Sequence, residues 1–127
     1  MAVRASCSDF DKAIELDPND ANTYNCRAFT YAHVEEYDKA VADIEMSLSL
    51  NPDDPYALHT YGFIYLQQKL YKEAIEYFSK ALSFDDKLKD AYVDRAKAYR
   101  AIGEIEKAEA DEAKAAELEA EEKKNNP

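Results

Sequence analysis

Apolar and polar positions alternate with a helical period along most of the chain, and the alternation itself recurs. From Pro55 to Leu88 the apolar and small residues fall as Leu58-x2-Tyr61-Gly62-x2-Tyr65, then Ala74-x3-Phe78. Thirty-four positions earlier the same frame holds Tyr24-x2-Arg27-Ala28-x2-Tyr31, Ala40-x3-Ile44 and Pro52. Thirty-four positions later it holds Tyr92-x2-Arg95-Ala96-x2-Tyr99 and Ala108-x3-Glu112. Tyr31, Tyr65 and Tyr99 share one register position. Apolar residues three and four apart mark one face of a helix. Self-similarity at a fixed period of tens of residues marks a stack of supersecondary units.

The stop and start signals divide these units. Residues 1–20 match only the second half of a unit: Phe10 aligns with Phe78, Ala13 with Ala81 and Pro18 with Pro52, so a lone second helix is expected over about 5–17. Its partner helix is missing, which leaves Phe10 and Ile14 without their usual cover; a piece of a longer array is favoured over a terminal cap. Unit one is 21–54, with helices over about 21–34 and 37–50; Asn19-Asp20 supplies its N-cap and Pro52 ends it. Unit two is 55–88, with helices over about 55–68 and 71–84; Asp54 is the N-cap and Pro55 sits at the first helical position, where its missing N–H costs nothing. Unit three is 89–122, its first helix closing at Gly103, which suits a left-handed residue just past a helix end. Its second helix, from near Glu104, is built of Ala, Glu and Lys and carries Glu112 where the other units have Ile44 and Phe78; it reads as a polar end cap. Residues 123–127 are expected to be a disordered tail.

Within each pair, small residues are expected where the backbones approach: Ala28, Gly62 and Ala96 on the first helices, Ala40, Ala74 and Ala108 on the second. Tyr24, Tyr31, Ile44, Leu58, Tyr65, Phe78, Tyr92 and Tyr99 are expected to fill the core. On that reading Tyr65→Ala costs on the order of 3–5 kcal/mol, as large aromatic truncations do. Most of the ten tyrosines fall at these positions, so packing is preferred to base stacking or a ligand cage.

The spacing resembles the tetratricopeptide-repeat (TPR) family over nearly the whole length. The resemblance implies an all-α fold, an alpha-alpha superhelix (TPR solenoid) of antiparallel helix pairs with about three and a half repeats. It also implies a concave groove lined by the first helix of each unit. Mapped residue by residue, that groove holds Asn22, Asn25, Phe29, Ala32 and His33 from unit one, and Tyr56, His59, Phe63, Leu66 and Gln67 from unit two. Unit three gives it Asp90, Val93, Lys97, Arg100 and Ala101. Phe29 and Phe63 are one repeat apart and should stand side by side; they mark an interaction site or help pack neighbouring helices. TPR co-chaperones hold the terminal carboxylate of heat-shock chaperones with Lys-x3-Asn, Asn and Lys-x3-Arg on successive units. Here those positions carry Asn25 and Phe29, Thr60, then Asp90 and Asp94, so carboxylates stand where cations belong and that clamp is absent.

Composition narrows the classes. With 46% hydrophobic residues and only 2 Gly and 4 Pro in 127, the chain suits one helical domain. The formal net charge of −11 disfavours nucleic acid and anionic membrane as partners and suits solubility or a basic partner. Cys7 and Cys26 lack zinc spacing and read as buried free thiols rather than a bridge. No apolar signal core or membrane-length run occurs, so the expected setting is cytoplasmic.

No phosphate-binding loop, nucleophile elbow or His-Glu-x2-His is present. His33 and His59 are the only histidines and stand at non-equivalent positions, so no catalytic residues, metal site or cofactor are expected. The expected function is non-enzymatic: a protein-interaction module, scaffold or adaptor, binding a peptide segment of a partner protein in the groove. A peptide with an aromatic or aliphatic anchor and an acidic group would span Phe63 and Arg100. The alternative is a structural repeat domain that forms a homo-oligomer through residues 5–17.

Overall fold

The computed structural model describes residues 9–125. Seven helices follow one another in this span: α1 Phe10–Leu16, α2 Ala21–His33, α3 Tyr37–Leu50, α4 Pro55–Gln67, α5 Tyr71–Phe84, α6 Lys89–Ala101 and α7 Ile105–Asn125. Two expectations at the ends need correction. Helix α1 begins at Phe10, with Asp9 as its N-cap, rather than near residue 5; residues 5–8, and Cys7 with them, lie outside the described span. Helix α7 runs on through Asn125, so residues 123–125 are helical and not part of a loose tail. A run of good helix formers with no Gly or Pro gives the helix no reason to stop at Glu122.

The caps account for the interior boundaries. Asp20 accepts from the backbone N–H of Asn22 and from the Thr23 hydroxyl, and Asp54 accepts from the N–H of Tyr56. Each satisfies an amide the helix would otherwise leave open. The turns inside the three pairs are identical in kind: Glu35, Lys69 and Gly103 all take a left-handed conformation, with φ of 64°, 65° and 85°. Only the third is a glycine, so the first two bear the steric cost that L-residues meet there.

Consecutive helices pack as antiparallel pairs, α2 with α3, α4 with α5 and α6 with α7. Each second helix also packs against the first helix of the next pair. Among the described residues, the backbones of the first helices α2, α4 and α6 approach one another in sequence, whereas those of the second helices α1, α3, α5 and α7 stay farther apart. Helices close on one side and splayed on the other bend the stack, which sets α2, α4 and α6 along the inner face.

Gly62 decides how tightly the central pair closes. A Cβ there would stand 2.6 Å from two ring carbons of Phe78 and 3.2 Å from the carbonyl of Ala74. Phe78 is wholly buried, as are Ile44 and Ile64. Where unit one sets Ala28 against the smaller Ile44, unit two sets Gly62 against Phe78, so the smaller partner balances the larger ring. Tyr24 and Tyr92 are buried with their hydroxyls donating to the carbonyls of Pro18 and Asp86.

Tyr31, Tyr65 and Tyr99, expected in the core, are half-buried instead. The buried aromatic of α4 is Tyr61, at 8% exposure. Tyr31 and Tyr99 lie under cations, Arg27 and Lys39 over the first, Arg95 and Lys107 over the second. Such contacts need a ring at the helix margin, where a charged group keeps its water. Tyr65 packs against the core from this margin and stacks on Tyr61 and Tyr77, with centroids 5.2 and 5.6 Å away. Cys26 is likewise half-buried rather than buried.

Candidate functional site

The inner face carries an aromatic platform. On α2, one turn separates Phe29 from His33, and their rings meet edge-on with centroids 4.5 Å apart. Phe63 of α4 closes the group, 4.9 Å from Phe29 and 5.1 Å from His33. Phe29 keeps 39% of its surface and His33 is exposed, while Phe63 is half-buried against the core. The register of 29 and 63 continues to Lys97 on α6, which is 65% exposed and lies 3.6 Å from Asp94. One row across the inner face thus runs Phe, Phe, Lys.

A second row is 25, 59 and 93. His59 Nε2 and Asp94 Oδ2 are 2.8 Å apart, both side chains only 14% exposed, and the imidazole lies 5.5 Å from the Phe78 ring. This bond ties α4 to α6 and makes His59 part of the groove floor. Asn25, its counterpart one repeat back, has a buried Oδ1 with no hydrogen-bond partner among the described residues. The residue that matches Asp94 there is Thr60, whose hydroxyl donates to the Tyr56 carbonyl instead. Val93 is 37% exposed.

The remaining expected groove residues divide. Asn22 and Tyr56 are exposed at the N-terminal ends of α2 and α4, Tyr56 at 57%, and Gln67 is exposed at the other end of α4. The register of 32, 66 and 100 does not open on the groove. Ala32 is fully buried in the core. Arg100 turns to α7 and holds Glu112 through two bonds of 2.7 and 2.8 Å, and Leu66 at the same register is half-buried. The Arg100 guanidinium draws the Glu112 carboxyl below its ordinary range. Arg100 is therefore engaged within its own helix pair, at 45% side-chain exposure. Glu112 stands where Phe78 and Ile44 stand in the other pairs, and it is exposed where they are buried.

The most regular polar feature escaped the sequence reading. Arg27 donates to Asp43 through Nε and Nη2, at 2.6 and 2.7 Å, and to Asp11 through Nη1 at 2.8 Å. Arg95 repeats this with Asp111, at 2.8 Å twice, and with Ser79 at 3.1 Å. In the central pair the same positions hold Tyr61 and Tyr77, stacked at 4.4 Å, and the Tyr61 hydroxyl donates to Glu45 at 3.1 Å. Every first helix is thus stapled to its own second helix and to the preceding one. The hydrogen bonds to Asp43 and Asp111 raise both guanidinium pKa values further above their ordinary range. The fixed separation of 16 residues in each bond, visible as Arg27/Asp43 and Arg95/Asp111, was the available signal. A cleft of about 250 Å³ between α1 and α2, lined by Phe10, Arg27, Thr30 and Tyr31, shows how lightly α1 seats.

Among the described residues, no group of three or more His, Cys, Asp and Glu side chains could hold a metal ion, and no helix is long and apolar enough to cross a membrane.

Paired helices stacked into a curved array, with an open inner face, define an α-solenoid interaction module. The chain belongs to the tetratricopeptide-repeat family: one family model matches residues 28–100 and a second matches residues 10–42. Its fold is similar to that of MamA, with a TM-score of 0.78 and 24% identity over 93% of this chain and 69% of that one. The second TPR domain of Spaghetti (RPAP3), bound to the HSP90 peptide SRMEEVD, gives 0.72 and 18% over 77% of this chain and 91% of that one. The TPR domain of OM64 from Arabidopsis gives 0.73 and 21% over 79% and 83%. No curated protein sequence matches the chain.

Proposed function

We propose that this module binds an extended segment of a partner protein across its inner face, seating an aliphatic or aromatic side chain on Phe29 and Phe63. The observation that carries the reading is the platform itself. Three rings lie within 5.1 Å of one another on an open face, and solitary exposed apolar groups do not arrange themselves so. Lys97, next in the row, suits an acidic side chain of the ligand, and it takes the role expected of Arg100. The Spaghetti domain, which holds a peptide, supports the class of ligand. Its peptide's acidic terminus is a poor guide here, since Asp90 and Asp94 stand at two clamp positions and Asp94 is bound to His59.

Fluorescence anisotropy against an arrayed peptide library tests this. Phe63→Ala should weaken the best ligands about tenfold, the loss of one anchoring ring. Lys97→Glu should weaken those with an acidic residue beside the anchor. Equal affinities for wild type and Phe63→Ala would remove the platform from the site.

The homo-oligomer reading rests on α1, which buries none of its residues. It requires a dimer that grows with concentration in sedimentation.

A further inference from the structure

The repeat register places an apolar residue at positions 16, 50, 84 and 118 of the second helices, and the first three are exposed. Leu16 ends α1 at 77% exposure, Leu50 ends α3 at 37% and Phe84 ends α5 at 54%. The fourth member, Leu118, is only 6% exposed and packs among Leu82, Leu88 and Tyr92. The same position can therefore be covered, and in the other three of its four occurrences the side chain stays exposed among the described residues. These three side chains stand along the edge formed by the turns between pairs, away from the aromatic platform.

The surroundings of that row are acidic. Asp17 follows Leu16, Asp53 lies three residues past Leu50 and Asp86 two past Phe84, all exposed, with Glu15 and Asp90 exposed nearby in sequence; against these five carboxylates the turns set one exposed cation, Lys87. Nearby, Lys89 is held by Glu119 and Glu122. A second copy of this chain would press the same carboxylates together, which like-charge repulsion opposes. An acidic ligand meets the same objection.

We infer that this edge docks a basic amphipathic segment of a partner protein, its aliphatic side chains covering Leu16, Leu50 and Phe84 and its Lys or Arg side chains facing Asp17, Asp53 and Asp86. The segment is a second ligand, separate from the one on the inner face. Apolar contacts hold it, and the carboxylates select against acidic competitors and speed the encounter.

The test uses a fluorescein-labelled synthetic helix of two Leu-Lys-Lys-Leu-Leu-Lys-Leu heptads, followed by anisotropy. Three triple variants of the full chain and Phe63→Ala are compared with wild type, with circular dichroism to check folding. The apolar variant is Leu16→Gln with Leu50→Gln and Phe84→Gln; the charge variant is Asp17→Asn with Asp53→Asn and Asp86→Asn. The control removes as many charges from the opposite edge, by Glu36→Gln, Glu73→Gln and Glu104→Gln. Phe84→Gln alone serves if the triple apolar variant fails to fold. Both edge variants should bind about tenfold more weakly, and the control and Phe63→Ala should stay within about twofold of wild type. The proposal is overturned if wild type does not bind the peptide. Equal losses in control and charge variant also overturn it, because attraction is then diffuse. A loss in Phe63→Ala does so by placing the peptide on the inner face. So does a wild-type dimer that the apolar variant abolishes, since a second copy would then be the occupant.

Discussion

Gly62 shows how one residue sets the distance between two helices. With Phe78 ring carbons at 2.6 Å from any added Cβ, and no flexible side-chain end to yield, the methyl of Gly62→Ala forces the ring or the helix to move. Overpacking of this kind costs about 1–3 kcal/mol. A urea melt of that variant should show the loss, and a change under about 0.5 kcal/mol, typical of surface positions, would mean the pair is looser than described. Tyr61 and Tyr77 make a second residue-scale case. Burial raises the Tyr61 pKa first, followed by its contacts with Tyr65 and Glu45; burial raises Tyr77 as well, with Tyr65 next. A raised folded pKa means the stabilising contribution is complete below the ordinary tyrosine value of 10.0 and is lost as pH rises above it. Urea midpoints should therefore fall from about pH 10 upward, and Tyr61→Phe with Tyr77→Phe should flatten that fall. An unchanged slope in the double variant would assign the alkaline loss to other groups.

Helices are joined here by a staple that changes chemistry without changing place. Arg95 with Asp111, and Arg27 with Asp43, are bidentate pairs; Asp111 is 7% exposed, and Arg95 also reaches Ser79 on the preceding second helix. Asp111→Ala leaves the guanidinium without its carboxylate partner and should cost about 3 kcal/mol, as breaking a mostly buried pair does. The central pair fills the same two positions with Tyr61 and Tyr77. Arg95→Tyr combined with Asp111→Tyr should therefore cost clearly less than the two single changes summed, a coupling that a double-mutant cycle measures. Strict additivity would show that the positions do not act together. The sequence displayed the Arg–Asp spacing, but sixteen residues is no helical period. Only the antiparallel return of the second helix makes such residues neighbours.

At the scale of the molecule, stability is unevenly distributed, because each unit of a stack leans only on its neighbours. Helix α1 buries no residue, whereas α4 and α5 lie between two flanking pairs and hold Ile64 and Phe78. Amide hydrogen exchange should be fastest in α1 and slowest in α4 and α5; comparable protection throughout would indicate that the array unfolds as one unit. The platform belongs to this scale too. Phe29, His33 and Phe63 come from two helices, and their contact depends on the first helices lying side by side.

The fold class was open to reading because periodicity, caps and small-residue positions are local properties, and the Tyr24-to-Phe78 frame states them twice over. The pairing of Phe29 with Phe63 followed from register alone. What the sequence could not fix was the direction each side chain takes around its helix. That decided that Arg100 turns to Glu112, that His59 binds Asp94, that Ala32 is sealed in the core and that Tyr31, Tyr65 and Tyr99 stay at the margin. A helical register specifies which residues share a face. Which neighbour covers that face is settled only when the next helix is in place, since burial is a property of pairs of elements and not of one.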